Sequence, residues 1–306
     1  MTSEPMPGPE RVQIQTQAGC NGRCVFCPNE TTQRQGLPMG KMAPELFHRI
    51  VDELAQTKPR RILLYLQNEP LNDPRLPEFT RCVTERMPDV TTLVTTNGVR
   101  LNEAMGEGLI DAGLKRMKVS LQSLDDETNR ALMGYEAAGV IDNVIAFKQR
   151  IKRKRSRLDL RVSMVVTSKN REEIETARRF WRRQGVRLVV SALENRGGNI
   201  SNVEELGGDR MQTRSNCIRP SREMCILYNG QVVLCCVDWF RTVITGDLTA
   251  QSVREVWNNP VYARIREGMC SGDAARLPDI CTHCTENVSP SVERHSLRGL
   301  IRRLMP

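Results

Sequence analysis

Gly19-Cys-Asn-Gly-Arg-Cys-Val-Phe-Cys-Pro28 places three cysteines, Cys20, Cys24 and Cys27, within eight residues, directly after the alternating run Arg11-Val-Gln-Ile-Gln-Thr16. The alternation reads as a β-strand, so the thiols belong to the loop that follows it. Three thiolates this close can hold three irons of a four-iron cluster and leave the fourth iron without a protein ligand. Zinc is the competing use of such thiols, and it wants a fourth Cys or His nearby in sequence. Here the next cysteine is Cys82 and the nearest histidine is His48.

Outward from this loop, strand-like and helix-like runs alternate. Strands are expected at Arg11 to Thr16, Arg61 to Leu66, Val90 to Thr95, Arg116 to Leu121, Asp159 to Val166 and Val186 to Ser191. Helical periodicity fills the intervals at Pro44 to Gln56, Arg75 to Met87, Asn102 to Ala112, a long stretch from Asp125 to Lys154, and Asn170 to Gln184. Such alternation makes an α/β protein, a parallel sheet with helices outside it, and ligands of such sheets gather at the strand C-termini.

The Cys-x3-Cys-x2-Cys spacing, with aromatic Phe26 before the last cysteine, resembles the signature of the radical S-adenosylmethionine (SAM) superfamily. The resemblance implies a partial (β/α)6 barrel and a [4Fe-4S] cluster on Cys20, Cys24 and Cys27. It also implies that SAM on the open iron is cleaved to a 5'-deoxyadenosyl radical. Gln67-Asn-Glu-Pro70 stands where the family has a Gly-Gly-Glu-Pro element near the SAM amino group, and Glu69 and Pro70 match while Gln67 and Asn68 replace the glycines. Thr95-Thr-Asn-Gly98, with Asn97, resembles the element near the SAM ribose; Ser120 and Arg161 stand where the SAM carboxylate is expected. Read without the resemblance, Glu69-Pro70 is an ordinary loop before a helix and Asn97-Gly98 a turn.

A second cysteine group begins after Leu193-Glu-Asn-Arg-Gly-Gly-Asn199. Cys217 precedes a β-hairpin expected to turn at Asn229-Gly230 and to carry Cys235 and Cys236, and Cys281-Thr-His-Cys284 follows. This arrangement resembles the SPASM and twitch extensions of radical SAM enzymes. The resemblance implies the shorter twitch form, one auxiliary [4Fe-4S] cluster on Cys217, Cys235, Cys281 and Cys284; a four-thiolate zinc site satisfies the same residues. The expected organisation is an N-terminal extension (1–10), the partial barrel (11–192), a linker (193–212), a twitch/SPASM-like domain of hairpin and helix (213–286) and a basic tail (287–306).

Of the remaining cysteines, Cys82 reads as helix packing, whereas Cys225, Cys236 and Cys270 are candidate hydrogen donors to a substrate radical, or else small core hydrophobes. Strand alternation turns Cys236 away from the face of Cys235. The chain of 306 residues has 11 cysteines and no apolar run long enough to span a membrane, and its first residues lack a signal-peptide pattern, so a cytoplasmic enzyme is expected. The net charge of +9 fits a solvated basic surface or an anionic substrate; with 4% aromatics, stacking platforms for nucleic acid are scarce and no nucleic-acid partner is expected.

The layout looks similar to the aminocyclitol dehydrogenases and carbohydrate epimerases of antibiotic pathways. What it implies is hydrogen abstraction from a sugar- or cyclitol-containing small molecule, with reducing electrons from a flavodoxin or ferredoxin. Epimerisation, quenched by a thiol, is favoured narrowly over dehydrogenation, which passes an electron to the auxiliary cluster. Modification of a ribosomal peptide is the alternative, and a zinc-bearing nucleic-acid-binding protein a more distant one.

Overall fold

Nine strands form one continuous sheet in the computed structural model, which describes residues 6–207 and 217–284. The strands are β1 (Arg11–Ile14), β2 (Arg61–Leu63), β3 (Thr91–Thr96), β4 (Arg116–Ser120), β5 (Asp159–Val165), β6 (Arg187–Ser191), β7 (Glu223–Ile226), β8 (Gln231–Val233) and β9 (Ile244–Asp247). Their spatial order is β6-β5-β4-β3-β2-β1-β7-β8-β9. The first six run parallel, joined by helical crossovers, and β7 pairs parallel with β1 before β8 and β9 continue antiparallel. The expected six-stranded α/β unit is present, and the hairpin at Asn229-Gly230 extends its sheet. The basic tail and residues 208–216 lie outside the described residues.

Period-two alternation divides each strand between two environments. Val12, Ile14, Ile62, Leu64, Val94, Met117, Val119, Leu160, Val162 and Met164 face the helices and join the main core. They meet Phe47, Leu54, Phe79, Leu109, Phe147 and Trp181 from the crossover helices, with Phe47 and Phe79 stacked at 4.2 Å. Each such side chain, fully buried, contributes about 1.5–3 kcal/mol. The alternate residues, among them Thr95, Lys118, Ser120, Arg161 and Ser163, fall on the inner, concave face.

The expected long helix from Asp125 to Lys154 is instead two helices, Asp126–Met133 and Ala138–Arg153. Gly134 ends the first in the left-handed region (φ 84°), and the Asp126 carboxylate accepts the Ala137 and Ala138 N–H groups at 2.8 Å each, capping the second. Likewise β2 stops at Leu63 rather than Leu66, because the chain turns and the Leu66 N–H donates to Asn68 Oδ1 (2.9 Å).

The segment from 193 to 207, expected as a linker, is packed. Ile200, Val203 and Leu206 are buried against Phe26, while Asn195 Nδ2 donates to the His283 carbonyl (2.8 Å) and Asn199 Nδ2 to the Val237 carbonyl (3.0 Å). It therefore touches both the cysteine loop and the second cysteine group.

Candidate active site

The loop carrying Cys20, Cys24 and Cys27 leaves the C-terminal end of β1 and is held by backbone bonds on two sides. The Arg23 and Val25 N–H groups donate to the Met133 and Leu132 carbonyls (2.9 and 3.0 Å), and the Glu69 N–H donates to the Gly19 carbonyl (2.9 Å). Phe26, 7% exposed, packs on Leu132, Met133, Ile200, Val203 and Leu206. Pro28 then leads into a short helix, Asn29–Arg34, that the sequence pattern does not announce.

Burial pushes the Cys20 thiol up to about 12 and raises Cys24 and Cys27 as well; for Cys24 the neighbouring Cys27 and Cys20 add to the effect. Such thiols stay protonated at neutral pH unless a metal takes them as thiolates. The Gly22 N–H (3.3 Å) and Asn97 Nδ2 (4.0 Å) point at Cys20 Sγ, the polar environment that a cluster-bound sulfur needs. The donor set thus fits an iron–sulfur cluster with one open iron.

Glu69, 2% exposed, follows β2 and clamps the end of β3: its carboxylate accepts from Thr96 Oγ1 (2.5 Å), the Asn97 N–H (2.7 Å) and the Leu71 N–H (2.9 Å). Burial raises its pKa to about 7, against the opposing pull of these three bonds. Asn97 in turn donates to Asn21 Oδ1 (2.8 Å), tying β3 to the cysteine loop. Asn68 spends its amide on the Gln17 carbonyl (2.8 Å), so it braces β1. Gln67 adopts φ 51°, a conformation glycine takes without strain, and its side chain donates to the Cys236 carbonyl (3.2 Å). Ser120 Oγ lies 3.4 Å from Ser163 Oγ, and Arg161 is paired with Asp159 (2.6 Å). These two therefore stand on the inner face, Arg161 already engaged by a neighbour.

The second cysteine group lines one small pocket, with Cys217, Cys235, Cys281 and Cys284 around it beside Arg219, Leu234 and Val237. Burial raises Cys217 and takes Cys281 to about 12. Among the described residues no three Cys, His, Asp or Glu side chains converge closely enough to share one metal ion. Four thiols lining one pocket supply the number and type of ligands that a four-iron cluster takes. Cys236 lies off this pocket and packs beside Leu66, Cys225, Leu227 and Val233, accepting from Arg219 Nη1 (3.2 Å). Cys225 is fully buried in that apolar group, and Cys270 is exposed at the end of the helix Pro260–Ser271, away from the lining of this pocket. Of the three candidate hydrogen donors, the structure brings Cys236 alone to the junction between the two cysteine sites. Cys82 is 7% exposed in its helix, beside Arg86 (3.2 Å).

Pattern reading passes over Tyr135, Arg219 and Lys118. Tyr135, just beyond the Gly134 break, places its hydroxyl 3.5 Å from the Asn97 carbonyl and its ring beside Gly22. Its signal was the Gly134-Tyr135 punctuation inside an otherwise helical run. Arg219 lies two residues after a thiol, and Lys118 occupies a polar position of an alternating strand.

Residues 14–180 match the Radical SAM superfamily, and residues 217–285 match SPASM, an iron-sulfur cluster-binding domain. The chain belongs to the radical SAM superfamily, with S-adenosylmethionine and two [4Fe-4S] clusters as its cofactors. It is 23% identical over 283 residues to the S-adenosyl-L-methionine-dependent 2-deoxy-scyllo-inosamine dehydrogenase of Niallia circulans, spanning 92% of this chain and 94% of that one. The structure of BtrN in complex with AdoMet and 2-DOIA superposes with a TM-score of 0.63 at 20% identity, over 90% of this chain and 92% of that one. That of Streptococcus suis SuiB bound to precursor peptide SuiA gives 0.67 at 16% identity, over 85% of this chain and 67% of that one. No helix of the described residues is long and apolar enough to cross a membrane.

Proposed function

We propose that the protein oxidises a hydroxyl-bearing carbon of a cyclitol- or sugar-like small molecule to a carbonyl. The carrying observation is the hydrogen bond from Gln67 to the Cys236 carbonyl. It joins the loop beside the first cysteine site to the residue next to Cys235, so a substrate at the strand ends would lie beside both sites. Near-full-length similarity to an aminocyclitol dehydrogenase supports the same reading.

Cys20, Cys24 and Cys27 are assigned to the first cluster, and Cys217, Cys235, Cys281 and Cys284 to the second. When bound, SAM and the clusters supply hydrogen-atom abstraction and an acceptor for the electron left on the substrate carbon. The chain's own residues bind and orient. Glu69 offers a buried carboxylate to the SAM amino group, whose positive charge would draw it back to its ionised form. Asn97 and Phe26 hold the cysteine loop in place, while Ser120 and Arg161 face the lumen on the side assigned to the SAM carboxylate. The segment 193–207 covers the loop and keeps water from the reacting carbon. A cytoplasmic flavodoxin or ferredoxin is the expected reductant.

Epimerisation is the second reading, favoured by Cys236, a half-buried thiol at the same junction. Peptide modification rests on the likeness to SuiB, of whose chain 67% is covered. The test is anaerobic turnover of 2-deoxy-scyllo-inosamine and related polyols in D2O, with wild type and Cys236→Ala. Oxidation yields a product two hydrogens lighter, formed by both proteins to within about threefold. A product of unchanged hydrogen count carrying one solvent deuteron, and lost in Cys236→Ala, overturns oxidation in favour of epimerisation.

A further inference from the structure

Three buried nitrogen donors without partners belong to one small pocket. Asn29 Nδ2, Trp239 Nε1 and Arg241 Nε each make no hydrogen bond, and their residues line the same pocket with Ala18, Gly19 and Gln67. Asn29 is 6% exposed and starts the short helix that follows the cysteine loop. Ala18 and Gly19 directly precede Cys20, and Trp239 and Arg241 come soon after Cys235 and Cys236. No Asp or Glu lines the pocket. Asp238, next to Trp239, spends both carboxylate oxygens on Thr242 and Val243. Arg241 gives Nη1 to the Pro38 carbonyl (3.3 Å), lies over the Tyr228 ring at 5.9 Å and forms no ion pair with any described residue. Its Nε edge is therefore left for another acceptor.

A buried N–H without an acceptor costs free energy, and several around one pocket call for a common partner. A single water has too few lone pairs for all of these donors and no charge to set against the guanidinium. A carboxylate has about four acceptor sites and meets arginine side-on through a pair of parallel N–H bonds. We infer that Asn29, Trp239 and Arg241 form a subsite for a carboxylate carried by the substrate, beside the end of β1. Arg241 holds its place in the left-handed backbone region, φ 56°, which residues other than glycine seldom adopt. The carboxylate of SAM is a different group, assigned to Ser120 and Arg161 on β4 and β5, and the sheet order sets β3 and β2 between those strands and β1. The inference rests on the substrate being a small molecule at the strand ends, and it narrows that class to sugar or cyclitol acids.

The experiment is a fluorine NMR titration of anaerobically reconstituted, SAM-saturated full-length enzyme labelled with fluorotryptophan. The probe is acetate, with inorganic phosphate as the comparison, and Trp239→Phe identifies the Trp239 resonance among the 3 tryptophans. Acetate shifts that resonance saturably in wild type. Its affinity falls tenfold or more in Arg241→Met and threefold or more in Asn29→Ala, and is intermediate in Arg241→Lys, which keeps the charge but not the fork. Iron content and circular dichroism verify that each variant is folded and loaded, and Asn29→Ala carries the test if Arg241→Met does not fold. No shift up to about 100 mM acetate, the result for a pocket that holds water only, overturns the subsite, as does equal affinity in wild type and all variants. Phosphate bound more tightly than acetate overturns the carboxylate assignment. The titration involves no turnover, so saturable acetate binding by an enzyme that oxidises neither polyols nor sugar acids sinks the functional reading and leaves the subsite standing.

Discussion

Glu69 concentrates the electrostatics of the site in one side chain. Its carboxylate is 2% exposed and joins the loops after β2 and β3, and burial raises its pKa to about 7 from an ordinary 4.5. The folded protein therefore holds this proton more tightly than the unfolded chain. The stability it contributes is present below the unfolded value and is lost as pH rises through about 7. In SAM-free protein the urea midpoint is expected to fall between about pH 4.5 and 7, and Glu69→Gln, which keeps an acceptor oxygen but cannot ionise, flattens that fall. An unchanged slope in the variant would contradict the assignment. Glu69 was legible in sequence through its Glu-Pro pair, whereas its bonds to Thr96 and Asn97 were not, because they join residues 27 and 28 positions apart. Asn68 shows the reverse: it matches a motif position, yet its amide braces Gln17, a use that only the fold reveals.

Among the elements, the break between the helices Asp126–Met133 and Ala138–Arg153 matters most to the site. The carbonyls of Leu132 and Met133, at the end of the first helix, receive the Arg23 and Val25 N–H groups of the cysteine loop. Gly134 permits this at φ 84°, and a Cβ there would sit 3.0 Å from Arg23 Cβ. Gly134→Ala is expected to cost about 1–2 kcal/mol from the left-handed backbone alone and to lower iron retention at the first site while leaving the auxiliary site loaded. Calorimetry with iron analysis checks this, and full iron with an unshifted melting temperature would contradict it. The six strands were readable because buried parallel strands and amphipathic helices carry different apolar periods. The helix break was missed because both halves share the helical period, and one glycine within a helical run is a weak signal.

For the molecule as a whole, the parallel pairing of β7 with β1 puts both cysteine sites on one sheet. Spacing alone separated the cysteines into two groups. That the second group would extend the first unit's sheet was not legible, since the pairing joins Arg11 to Glu223 across more than two hundred residues and edge strands carry no partner code. With the sheet continuous and Gln67 bonded to the Cys236 carbonyl, the loop beside the first cysteine site is tied directly to the hairpin of the second. The most direct test is iron and sulfide content, with SAM cleavage under dithionite, for anaerobically reconstituted wild type and a Cys217→Ala, Cys235→Ala, Cys281→Ala variant. About eight irons falling to about four, with 5'-deoxyadenosine formed by both proteins, is the predicted result; zinc in place of iron, or no 5'-deoxyadenosine from wild type, would contradict a two-cluster radical SAM enzyme.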